Sequence, residues 1–258
     1  MLIIYRFSDT GFRTCFRMGR ASFRRLIHLC ENTPGATTII HQNSGAHSPP
    51  RPIYQHIATA LYIFSASGGS AERVRIFLDI GYGTIWDYPW RFTRLLVHLL
   101  KRYIAWPSLH HRWQLPALHK PRQEIFSGCV WFLEGSEIPL QSKPAYDHET
   151  YSSRNKIYSF NLSSYQRLER TVYICEYRLH CQHSWFNNLQ GRSTCMSGDE
   201  YLLAGKADQL NHHVITPHKE PVSRRRSRAS FNYVIHSTTR GRIELSSGVL
   251  KARCTSLR

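Results

Sequence analysis

Residues 129–140 read CVWFLEGSEIPL. Four consecutive apolar residues, Val130 to Leu133, run into Glu134, and Gly135-Ser136 interrupts the run. This pattern predicts a buried strand that delivers one carboxylate to the edge of a sheet, with a turn behind it. Taken alone, an apolar strand ending in an acid is as much a structural pattern as a functional one.

Downstream of this stretch the texture is that of strands. Residues 156–165 (KIYSFNLSSY) and 171–177 (TVYICEY) each alternate apolar and polar side chains, and residues 166–170 form a polar connection. Two alternating runs joined by a short polar loop predict an antiparallel hairpin. Residues 201–204 predict a short apolar strand, and 213–215 another before Pro217. A closing helix is expected over 240–253, with Ile243, Val249 and Leu250 toward a core. Glu244 and Gly248 share a face four residues apart, and a glycine there would let the helix approach a sheet closely, bringing Glu244 near a strand end.

Upstream the period is helical. Residues 1–14 show no periodicity. Ser22 has the chemistry of an N-cap, followed by Phe23, Leu26, Ile27 and Cys30 on one helical face. Pro34, Gly35, Gly45, Pro49, Pro50 and Pro52 mark a long loop. A second helix carries Ile53, Ile57, Ala60, Leu61 and Phe64. A short third helix opens at Ser70 and buries Val74, Phe77 and Leu78. After the turn at residues 81–84, a fourth carries Phe92, Leu95, Leu96 and Leu99. Short helix, glycine turn and longer helix outline a helix-turn-helix; an ordinary helical bundle with a solvated basic face fits the same pattern. Pro89 fits the first turn of the fourth helix if Asp87 is its cap.

The charge narrows the partner. With 34 Lys and Arg against 17 Asp and Glu, the 258 residues carry a formal charge of +17. Such an excess favours a polyanion on the surface, and nucleic acid is the first candidate. Residues 91–122 hold seven Lys or Arg and no acid, including Arg91, Arg94, Lys101 and Arg102. The last forty residues hold ten against Glu220 and Glu244, among them Arg224, Arg225, Arg226 and Lys251. The run Ser223 to Arg228 reads as a solvated loop that also suits phosphates or nuclear import. No segment is long and apolar enough to span a bilayer, and the opening MLIIYRF is too short and too quickly polar for a secretory signal. The seven cysteines form no C-x-x-C pair, so neither a disulfide framework nor a zinc ribbon is indicated.

Several stretches together resemble PIF/Harbinger-type transposases, which carry a DDE superfamily endonuclease domain of the transposase-4 group. They are CVWFLEGSEIPLQSKPAYDHETYSSRNKIYSFNL, YLLAGKAD, HVITPHKEP, FNYVIHSTTRGRIELSSGVLKARCTSLR and, upstream, IATALYIFSASGGSAERVRIFLDIGYGTIWDY. The resemblance implies an α/β, ribonuclease-H-like fold, a mixed sheet with flanking helices, over residues 123–258. A helical, helix-turn-helix-like domain over 1–122 would precede it. It also implies acidic residues that bind two divalent cations, Mg2+ or Mn2+, and cut DNA phosphodiesters in the nucleus. Two cations about 4 Å apart activate the attacking oxygen and stabilise the leaving one, and clustered carboxylates hold them. A separate Myb-like DNA-binding protein is an implied partner.

The chain departs from the family pattern at those acids. The family's Asp-Gly-Thr falls on Glu134-Gly135-Ser136, which keeps the charge but lengthens the side chain by about one C–C bond, and misplacements near 1 Å can cost a hundredfold. Its His-Asp-Ser falls on Gln182-His183-Ser184, placing a neutral imidazole where an acid stood; imidazole is a poor magnesium ligand. Its Ala-Asp falls on Ala204-Gly205, which offers no side chain. Glu244, in Arg242-Ile243-Glu244, stands as the family has it. Asp199, Glu200 and Asp208 are nearby acids, but an offset of three on a strand, as from Gly205 to Asp208, points to the opposite face. The expectation is a DNA-binding, transposase-derived protein with impaired or lost cleavage, in which Glu134 and Glu244 are the remaining catalytic and metal-binding candidates. An RNA-binding scaffold ranks last, because no stacking-aromatic signature accompanies the charge.

Overall fold

The computed structural model describes residues 7–41, 51–65, 71–103, 108, 110, 126, 128–153, 155–166, 172–178, 196, 198–205, 210, 212–219, 226–235 and 241–255. The chain divides into two compact units: Met1–Tyr103 together with Leu250–Arg258, and Ile104–Val249. The boundary expected between residues 122 and 123 lies outside the described residues.

The first unit is helical. It contains α1 (Asp9–Phe16), α2 (Arg20–Glu31), α3 (Ala36–His41), α4 (Ile53–Ser65), α5 (Ala71–Leu78) and α6 (Thr84–Tyr103). Three boundaries differ from the sequence reading. Residues 9–16 are helical: Ser8 caps α1 by accepting a hydrogen bond from the Gly11 amide at 3.1 Å, and Phe12 and Phe16, one turn apart, are both buried. Their rings meet Phe23, with centroids 5.4 and 5.8 Å away. This tertiary aromatic cluster stabilises a helix too short to show a period. Ser22 is not a cap, because α2 starts two residues earlier with Gly19 before it. The proline-marked loop contains α3, whose Ala36 and Ile40 are buried.

The second and third predicted helices appear as α4 and α5. Ile53, Ile57 and Ala60 of α4 and Val74 and Leu78 of α5 are buried, as read, and Phe77 packs against the same core. The fourth, α6, buries Ile85, Tyr88, Phe92, Leu95 and Leu99, whereas Leu96 is exposed. It starts at Thr84, not Asp87, so Pro89 lies inside it. Pro89 is itself buried, and packing on the α6 core side offsets the amide it cannot donate.

The second unit is a mixed sheet with helices. Its strands are β1 (Cys129–Pro139), β2 (Ser159–Gln166), β3 (Val172–Arg178), β4 (Tyr201–Ala204) and β5 (Val214–Ile215), in the order β3-β2-β1-β4-β5. β1–β2 and β2–β3 are antiparallel, the second as the alternating runs predicted, whereas β1–β4 and β4–β5 are parallel. The expected turn at Gly135-Ser136 does not form. β1 continues through it because β2 supplies partners from Phe132 to Pro139, Glu134 opposite Ser164, Gly135 opposite Ser163 and Ser136 opposite Leu162. Glu134 is therefore in the middle of the central strand, not at a sheet edge.

Alternation along β1 and β4 splits the core in two. Trp131 and Leu133 pack with Leu202, Ala204, Met196 and Val214 on one face. Phe132 and Leu203 are buried on the other, with Phe126, Tyr201 and Ile215 against them. Gly128 sits where β1 comes closest to the turn before β4: a Cβ there would lie 2.2 Å from the Asp199 carbonyl oxygen and 2.9 Å from the Tyr201 ring. The Gly128 carbonyl accepts the Tyr201 amide at 2.9 Å, which sets the β1–β4 register.

Two helices follow the sheet, α7 (Arg226–Ile235) and α8 (Gly241–Arg253). α7 begins inside the arginine run that the sequence reading left as a loop. Its buried Asn232 donates to the His218 carbonyl at 3.0 Å and accepts from the His218 amide at 2.8 Å, tying the helix to the backbone that leaves β5.

Candidate functional site

Three chain positions converge on one face of the sheet. Glu134 lies two residues beyond Phe132 on β1, and Gly205 two residues beyond Leu203, just past the end of β4. Because side chains alternate, positions 134 and 205 both belong to the Phe132–Leu203 face. The last paired residues of the two parallel strands are Leu133 and Ala204, so 134 and 205 are level with each other. Adjacent strands are about 4.8 Å apart, a separation across which two acids could share a cation.

The third element is α8. Ser247 Oγ donates to Glu134 Oε2 at 2.9 Å across 113 residues of sequence. A hydroxyl bonded to a carboxylate contributes about 1.5–3 kcal/mol net. Position 244 lies three residues, about one turn, before Ser247, on the same side of the helix. α8 thus meets the sheet at Glu134 through Ser247, and not through Gly248 as the sequence suggested. Gly248 is exposed, and a Cβ there would have nothing within 4 Å. Ser247 was not singled out from the sequence; the signal was its place one turn from Glu244.

The other candidate positions divide. His183 and Asp208 lie outside the described residues. Asp199 and Glu200 precede β4 at the end level with Cys129, roughly 17 Å along the strand from position 205, so neither replaces the missing acid. Among the described residues no group of three His, Cys, Asp or Glu is placed to hold a metal ion. Among the described side chains, Glu134 with one hydroxyl does not amount to a two-cation cage. Thiolate chemistry is disfavoured on β1, where burial pushes the Cys129 thiol up to about 12.

The basic candidates are also unequal. Arg91 of α6 is mostly enclosed; it donates to the Ile40 carbonyl at 2.9 Å and lies 3.7 Å from Asp87, so its guanidinium is committed within the helical unit. Arg94 and Arg226 are exposed, and Lys251 is half-buried. Lys101 and Arg102 fall in the last turn of α6. Arg224 and Arg225 lie outside the described residues. No helix among the described residues is long and apolar enough to cross a membrane.

One buried titratable group escaped the sequence reading altogether. His56 of α4 is 1% exposed, with its ring 3.9 Å from that of Tyr88 and 6.5 Å from that of His41. Burial, then the charge of Arg91 and the neighbouring His41, push its pKa down to about 4. It is a neutral core histidine and forms part of no reactive cluster.

No protein-family model, curated protein or solved structure matches this chain.

Proposed function

We propose that the chain is a transposase-derived protein with a ribonuclease-H-like, DDE endonuclease domain, which binds DNA and whose metal-dependent cleavage is impaired. The observation that carries this reading is the convergence of Glu134, position 205 and α8 on one face of a mixed sheet. Those are the positions that correspond to family acids in the resembling stretches, and they lie far apart in sequence.

The same geometry accounts for the impairment. Gly205 leaves the β4 side of the site without a carboxylate, and Glu134 has one oxygen engaged by Ser247. Glu134 and Glu244 are the acids left to hold a magnesium or manganese ion. A cation bound in this way would supply charge stabilisation at a phosphodiester. What remains to the protein's own residues is DNA binding through Arg94, Arg226 and the neighbouring basic positions, which implies a nuclear site of action. The second reading is a catalytically inactive DNA-binding remnant or domesticated protein, and the glycine at 205 favours it.

The helix-turn-helix outline survives in α5 and α6, yet the exposed side of α6 carries Trp86, Trp90 and Val97 in place of a polar surface. An apolar face suits a protein partner better than a groove, so α6 is assigned no base-reading role.

The deciding experiment is a cleavage assay on supercoiled DNA and on terminal-repeat DNA, with magnesium or manganese, beside a binding titration over a range of salt. Binding should weaken steeply with salt as counterions are released, with little or no cleavage. Robust cleavage abolished by Glu244→Ala would overturn the impairment, and affinity unchanged by salt would overturn the DNA reading.

A further inference from the structure

The long helix α6 has two apolar sides, of which one is buried and the other exposed among the described residues. Ile85, Tyr88, Phe92, Leu95 and Leu99 are buried in the helical unit. On the opposite side Trp86 is 62% exposed, Trp90 65%, Val97 61% and Leu100 47%. With Thr93 these positions are spaced four, three, four and three residues apart. That is a two-heptad seam of the kind that pairs with another helix. Leu96 and Tyr103, also exposed, line one edge of the seam. Positions 87, 94 and 101, seven residues apart along α6, fall on the other.

We propose that this seam is where two copies of the chain associate, with α6 packed antiparallel against α6 of the second copy about a two-fold axis at Thr93. The pattern is self-complementary in that arrangement alone. Antiparallel pairing sets Trp86 against Leu100 and Trp90 against Val97, large on smaller, with the short Thr93 meeting itself at the axis. The charged edges then face each other, so that Asp87 of each copy is level with the basic position 101 of the other. The two ion pairs outnumber the one like-charge approach at Arg94. Asp87 is available for this: it is 59% exposed, with Arg91 of its own helix 3.7 Å away. The apolar edges also meet each other at Leu96, which faces its own copy.

Parallel pairing would stack tryptophan on tryptophan in two successive layers and set the basic edge against the apolar one. The exposed apolar side chains, aromatics burying about 150–250 Å² each, give a face on the order of 600 Å² per copy. That approaches the roughly 800 Å² per partner of a standard stable interface. A two-fold interface of this kind uses the same patch on both copies.

The test uses the full chain, freed of nucleic acid by nuclease and high-salt washing, with its mass measured by light scattering from about 1 to 100 µM. The chain should be dimeric across the upper part of that range. Trp90→Glu should weaken association at least a hundredfold with an unchanged helical circular dichroism spectrum. Asp87→Lys should weaken it a few-fold, and adding Lys101→Asp to it should restore the original affinity. Thr93→Cys should form an intermolecular disulfide under mild oxidation that the natural chain does not. A monomer throughout the range overturns the proposal, as does a dimer indifferent to Trp90→Glu. Failure of Thr93→Cys to cross-link, or of the charge swap to rescue, overturns the antiparallel arrangement.

Discussion

The helical unit and the sheet unit show their packing in the sequence to different degrees. In the helical unit the buried faces follow each helix's own period, as with Ile53, Ile57 and Ala60 of α4 and Val74 and Leu78 of α5. In the sheet unit the central strand depends on residues that arrive much later: β4 pairs Tyr201 with Cys129, and α8 brings Ser247 to Glu134. Periodicity therefore describes the first unit well. The second depends on a few close approaches that no local pattern announces, and its candidate site depends on the same approaches.

Breaking the sheet unit at its closest approach should have the largest effect. Gly128→Ala puts a Cβ 2.2 Å from a backbone oxygen that cannot move without unpairing β1 from β4. A loss of at least about 3 kcal/mol is expected, at the upper end of overpacking costs, read by denaturant unfolding. Retention of full stability would mean that the two strands do not approach in this register.

The helical unit should instead be the acid-sensitive one. His56 has a pKa of about 4 in the fold against an ordinary 6.5, so folding favours its neutral form. That contribution is complete above pH 6.5 and is lost as pH falls toward 4, amounting to up to about 3 kcal/mol. Melting temperature measured between pH 7 and 4.5 should drop, and His56→Phe should flatten the slope. A slope that persists in the variant would place the acid sensitivity elsewhere.

Two smaller effects separate the roles of neighbouring residues on α8. Ser247→Ala removes one partner of the Glu134 carboxylate and should cost about 1–2 kcal/mol. Gly248→Ala, one residue on, meets nothing within 4 Å and should stabilise by about 0.5–1 kcal/mol, the usual gain for replacing an exposed helical glycine. Both are measured by thermal unfolding. Equal effects of the same sign would mean that α8 is rotated from the orientation described.

Much of the fold was legible in these terms. The apolar face of α4, the antiparallel pairing of β2 and β3, the short strands β4 and β5 and the final helix all follow from spacing. The misses share a cause. α1 and α3 are single short helices whose stability comes from tertiary burial of Phe12, Phe16 and Ile40, and α7 starts within a charge run. β1 passes through Gly135-Ser136 because a partner strand on its β2 side outweighs a local breaker.

The candidate site was half legible. Glu134 stood out as an acid ending an apolar run, and Glu244 through the resemblance. The level placement of position 205, the reach of Ser247 and the burial of His56 are properties of the assembled chain. The signal that separates Ser247 from the adjacent Ser246 is its place one turn from Glu244.

The most direct test of the account is to return a carboxylate to the face where it is missing. Gly205→Asp places an acid level with Glu134 on the adjacent strand, about 4.8 Å across. Manganese binding by the natural chain and by this variant would be compared by electron paramagnetic resonance titration. The account predicts weak binding by the natural chain and at least a tenfold gain in the variant, lost again when Glu134→Gln is added. A variant that binds no better than the natural chain would contradict the proposal that these positions derive from a metal centre.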